Sequence, residues 1–109
     1  MLSTIIMATA LGGSALVEEA DRRNFAYTQC LFEQVREARA QSLPTEAMLD
    51  RVESRCRAQR LSLEEVTLAV LQERGETPAQ ARANWNRVHA NSIEAVRRAY
   101  ELRLAEQQG

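Results

Sequence analysis

Apolar positions along this chain recur at helical spacing. Ala20, Tyr27, Leu31, Val35 and Ala38 fall on one stripe, with Cys30 at its edge and Phe25 and Phe32 widening it on the other side. Glu18, Glu19 and Asp21 open the segment and Arg36 and Arg39 close it, charges that complement a helix macrodipole and predict a helix over residues 17–40. Pro44 ends that helix, because it lacks an amide donor and displaces its predecessor from helical geometry, yet it fits the first turn of the next one. A second helix is expected over 45–60, with Met48 or Leu49, Val52 and Cys56 on one face.

Ser62 followed by Glu65 reads as a capping box that restarts the chain as a third helix over 63–74, with Leu63, Val66, Ala69, Val70 and Leu71 apolar and Gly75 as its left-handed stop. Only Leu61-Ser62 then separates the second and third helices, which leaves open one bent helix or two packed at an angle. Thr77-Pro78-Ala79-Gln80 combines a threonine cap, a proline at the first helical position and a glutamine that completes the box, and it starts a fourth helix over 78–106. Ala81, Trp85, Val88, Ser92, Ala95, Ala99 and Leu102 follow it in steps of four and three, the spacing of a seam packed along near-antiparallel neighbours. On its outer face Glu94 can meet Arg98 and Arg97 can meet Glu101. No strand pattern interrupts this, so the fold class is all-α, a small antiparallel helical bundle.

The two cysteines sharpen that picture. Cys30 and Cys56 lie equally far from Leu43, so a hairpin turning there brings their sulfurs level and predicts a disulfide brace across the first two helices. Such a bond persists in oxidising compartments, and the N-terminus points to export into one. Residues 1–17 carry no charged side chain, and the apolar run Ile5-Ile6-Met7-Ala8 with Ala10-Leu11 precedes Gly12-Gly13-Ser14-Ala15. That composition predicts a signal peptide over 1–15, cleaved after Ala15, and a single helical domain over 16–109. No Lys or Arg precedes the run, so a misassigned start or an apolar arm packed in the fold stays open as well.

Composition excludes more than it identifies. The formal net charge is −1 and acidic residues interleave with the basic ones, which argues against a nucleic-acid partner. All fourteen basic residues are arginine, which removes lysine-based covalent chemistry. His89 is the only histidine, and with two separated cysteines it makes too sparse a set for zinc. The thiols that could serve as nucleophiles are better used in the disulfide, so no catalytic constellation emerges and the expectation is not an enzyme.

Trp85 reads as the main core anchor, and His89, one turn on, as an amphipathic residue at the rim of the seam. Phe25 and Phe32 are either core or a partner-binding patch. These four, Phe25, Phe32, Trp85 and His89, are the candidate contact residues. The expected role is that of an exported protein, periplasmic or secreted, that binds another protein or serves structurally, with no cofactor. The alternative is a bundle that carries an apolar small molecule or haem beside Trp85 and His89, haem taking His89 with Met48 or another Met as ligands. Sequence assigns neither the partner nor the oligomeric state.

Overall fold

The structure, a computed structural model, describes residues 2–108, with side chains described over 15–107. It is all-helical: α1 (Leu2–Ala40), α2 (Thr45–Arg55), α3 (Arg57–Glu73) and α4 (Pro78–Gln108). The fold is the small antiparallel bundle expected, organised as three rods. α1 forms the first, α2 and α3 run end to end as the second, and α4 is the third, parallel to α1. No helix of the described residues is long and apolar enough to cross a membrane.

α1 differs from the expectation at its start. Its helical backbone continues N-terminally past residue 17, since neither a proline nor a capping side chain stops it there. The acidic cluster therefore sits inside the helix, where Glu19 bonds the guanidinium groups of Arg22 and Arg23 one turn on. The signal-peptide assignment, residues 1–15, rests on side chains that lie almost wholly outside those described.

At its other end α1 stops as a left-handed turn, with Ser42 at φ 54° and Leu43 N–H donating to the Ala38 carbonyl at 3.0 Å. Pro44 then precedes the first turn of α2 and accepts from Met48 N–H at 3.1 Å. Gly75 behaves as its position predicts, with φ 103° past the end of α3, and Glu76 N–H reaches back to the Leu71 carbonyl at 3.1 Å. Thr77 and Gln80 form their reciprocal box at 2.9 and 3.1 Å. The ion pairs expected on α4 are present, Arg98 with Glu94 at 3.4 Å and Arg97 with Glu101 at 4.0 Å. Arg97 also ties α4 to α2 through Glu46 at 2.8 Å.

The second rod bends six residues earlier than expected. Cys56 alone leaves helical geometry (φ −105°, ψ 11°), yet its N–H still donates to Val52 and its carbonyl still accepts from Arg60. The two segments are thus one bent helix, and the bend falls where the disulfide ties this rod to α1. Ser62 is no cap. Inside a continuous helix the Glu65 amide already has the Leu61 carbonyl as its partner, so the box has no orphan donor to satisfy. The Ser62 carbonyl instead accepts a bond from Arg23 at 2.9 Å.

Cys30 and Cys56 are disulfide-bonded, with a Cα–Cα distance of 5.8 Å. The core divides along the rods into two clusters. Tyr27, Cys56, Leu63, Val66 and Trp85 make one, and Ala38, Met48, Val52 and Tyr100 make the other. Ala69, expected in the apolar stripe of the third helix, is exposed, and Gln34 is buried on α1 where no apolar residue marked the stripe.

Candidate functional site

α4 decides where a site can be. Its buried and half-buried positions are Ala81, Asn84, Trp85, His89, Ile93, Val96, Arg97, Tyr100 and Leu104, and the apolar ones with His89 make one stripe. From Trp85 onward these recur eleven residues apart (Trp85 with Val96, His89 with Tyr100, Ile93 with Leu104), a period close to that of a straight helix. The stripe expected to be the seam runs instead along the outside after Trp85: Val88 is 53% exposed, Leu102 is 67% exposed, and Ser92, Ala95 and Ala99 are exposed between them. A seven-residue spacing drifts about 20° per repeat on a straight helix, so only a supercoiled neighbour would follow it. No rod of this bundle does.

The displaced stripe borders an opening. Between α1 and α4, with α3 as its floor, lies a cleft of about 640 Å³. Tyr27 and Leu31 line it from α1, Leu63 and Leu71 from α3, Trp85 and Val88 from α4. The remaining lining includes polar Asn24, Thr28, Thr67, Asn84 and Ser92. It is therefore an apolar slot with hydrogen-bonding groups along its edges, as ligand and peptide sites usually are.

The four candidate residues separate into two pairs. Trp85 is buried, and His89 stacks on it with ring centroids 5.3 Å apart and planes 7° from parallel. Tyr27 is tilted against the imidazole, with ring centroids 6.3 Å apart. His89 is thus a half-buried part of the inner stripe rather than a rim residue. Phe25 and Phe32 are 65% and 64% exposed, so neither belongs to the core. Neither lines the cleft, although at 100° per residue both follow cleft-lining Asp21 and Thr28 by one turn, about 40° further around α1.

Burial, and secondarily the Arg60 guanidinium, lower the His89 pKa below the ordinary 6.5, while Glu53 and Glu64 pull the other way. Burial raises the Tyr27 phenol, whose oxygen is enclosed without a hydrogen-bond partner. The sign for stability follows from the imidazole. The unfolded chain takes up the proton more readily, so stability is highest above pH 6.5 and falls as pH drops through that value. Thermal unfolding at pH 5 and 7.5 is expected to show a smaller acid loss in His89→Gln than in the parent. Equal losses would place the acid sensitivity elsewhere.

Sequence reasoning missed Tyr100, which is 1% exposed and donates its hydroxyl to the Leu43 carbonyl at 2.6 Å. Its signal was available in the eleven-residue recurrence, but two apolar stripes compete on α4 and the small-residue one has the more regular spacing. Met48, considered as a ligand partner for His89, is closed in the second cluster with Ala38, Val52 and Tyr100. Among the described residues no group of three His, Cys, Asp or Glu side chains is placed to hold a metal ion. Compared with known proteins, the chain matches no family model, no curated protein and no solved structure, so its functional reading rests on this geometry.

Proposed function

We propose that this protein is a small exported binding module, periplasmic or secreted, that acts without catalysis by receiving a helical segment of another protein in the cleft between α1 and α4. One observation carries the reading: α4 bears a second stripe, Val88, Ser92, Ala95, Ala99 and Leu102, with the spacing of a helix-packing seam, and that stripe is exposed beside an apolar cleft. Its small central residues let a partner backbone approach closely, while Phe25 and Phe32 expose further apolar surface on α1. The disulfide, which persists in oxidising compartments, supports export.

The test is titration of the labelled protein with a synthetic amphipathic helix that carries leucines at alternating steps of three and four. Amide shifts are expected along the cleft faces of α1 and α4. They should disappear in Ala95→Arg, whose melting temperature should match the parent because the position is exposed. Absence of binding, or equal binding by Ala95→Arg, would sink the proposal.

The size of the cleft also favours a second reading, an apolar small molecule held against Trp85 and His89. That reading expects a long-chain fatty acid to change the emission of Trp85, the only tryptophan, with saturation at one equivalent.

A further inference from the structure

His89, the only histidine, is the one residue that lines two openings of the bundle. On one side of it lies the cleft between α1 and α4. On the other, between α2 and α4, lies a smaller opening of about 460 Å³ lined by Leu49, Asp50, Val52, Glu53, Ala90 and Ile93. The imidazole is the partition between them, stacked on Trp85 and tilted against Tyr27, two buried rings that line the cleft.

A neutral imidazole suits that place and an imidazolium does not. Of the groups that face His89, α1 contributes the Tyr27 phenol, α2 contributes Asp50 and Glu53, and α3 contributes Arg60 and Glu64, with Asp21 and Arg87 on the cleft walls. Both glutamates are already bound to guanidinium groups. Glu53 pairs with Arg60 at 3.0 Å, while Glu64 pairs with Arg82 at 2.7 Å and with Arg60 at 3.7 Å. A proton on His89 therefore sets a second positive charge near the half-buried Arg60, against two buried rings, with both nearby glutamates engaged elsewhere. Burial and the Arg60 charge both oppose protonation in this position.

A way out exists. Asp50 lines the α2–α4 opening with His89, is exposed, and forms no ion pair among the described residues. We infer that His89 is an acid-operated latch: the neutral ring closes the inner wall of the cleft, and the protonated ring turns away from Trp85 and Tyr27 into the α2–α4 opening, toward Asp50, which uncovers the indole of Trp85. The turned ring gains both hydration and a carboxylate. Because the closed position disfavours the charge, the latch is shut above pH 6.5 and opens as pH falls below that value. The device belongs to the bundle itself and holds whatever the cleft receives.

Trp85 is the only tryptophan, so acrylamide quenching of its emission reads the latch in the intact protein. Quenching constants taken from lifetimes are expected to rise about twofold or more from pH 7.5 to pH 5, with a one-proton midpoint below 6.5 that coincides with the titration of the His89 ring protons. Far-UV helicity is expected to stay constant over that range. His89→Gln, which has no proton to take up, is expected to show pH-independent quenching, and Asp50→Asn, an exposed change, to move the midpoint to lower pH. Should His89→Gln fail to fold, the coincidence of the two midpoints in the parent and their shift in Asp50→Asn decide the matter. Unchanged quenching in the parent, a midpoint at about 4 where carboxylates titrate, or the same pH dependence in His89→Gln would each overturn the latch. So would a ring that titrates while Trp85 stays shielded, because the imidazolium would then remain stacked on the indole as a cation–π pair. Loss of helicity at the same midpoint overturns it too, since acid would then be unfolding the bundle rather than turning one side chain. An unmoved midpoint in Asp50→Asn overturns the direction assigned to the turn.

Discussion

Removing the Cys30–Cys56 cross-link is expected to lower the unfolding free energy by about 3.5 kcal/mol, the loop-closure entropy of a 26-residue separation in the chain-entropy model. The effect acts chiefly through the unfolded chain, so the helical content of the native protein should change little on reduction. Two features make this loss consequential. The bond joins α1 to the bend between α2 and α3, the one point at which the second rod leaves helical geometry. Cys56 is also a member of the Tyr27–Trp85 cluster, so the bridge and that cluster hold the same junction. Urea denaturation of the oxidised and reduced protein measures the difference directly. The Cys30→Ala, Cys56→Ala double variant separates the cross-link from any hydroxyl introduced at a buried site. An unchanged midpoint in both would show that the brace contributes nothing to stability.

The second large effect is at Tyr100. Tyr100→Ala should cost about 3 to 5 kcal/mol, because it empties the largest fully buried side chain and removes the donor to the Leu43 carbonyl. Leu102→Ala, two residues along the same helix, should stay within about 0.5 kcal/mol, since that side chain is largely in solvent. The pair tests the rotational setting of α4 in one experiment. If Leu102→Ala proved the more damaging, α4 would pack through its seven-residue stripe, and the cleft beside it would be closed.

The helix-binding proposal depends on that setting. A stripe of Val88, Ser92, Ala95, Ala99 and Leu102 turned inward would be ordinary core. Turned outward beside Tyr27, Leu31 and Val88 of the cleft, it is unpartnered helix-packing surface.

Much of the fold was legible because the relevant forces are local. Pro44, Gly75 and the Thr77–Gln80 box act through the backbone of a few neighbouring residues, and each behaves in the structure as its position implies. Ser62 and Glu65 show the limit of that reasoning. Their side chains suit a cap, but a cap forms only where the backbone leaves amides unpaired, and here the chain bends at Cys56 instead. Trp85 was legible as core by size alone, whereas His89, one turn away and polar, entered the same stripe only because the Trp85 and Tyr27 rings enclose it.

By itself, then, the sequence determined four helices, two of their three connections, and the level placement of Cys30 and Cys56 that lets the disulfide form. Those features depend on spacing along the chain and on backbone chemistry, which do not change with the surroundings. Only the tertiary structure decided which of the two apolar stripes of α4 is buried, that α2 and α3 form one rod, and that Phe25 and Phe32 are exposed. α4 is amphipathic on two sides, and the choice between them is made by the direction in which α1 and α3 approach, information that no spacing within α4 contains.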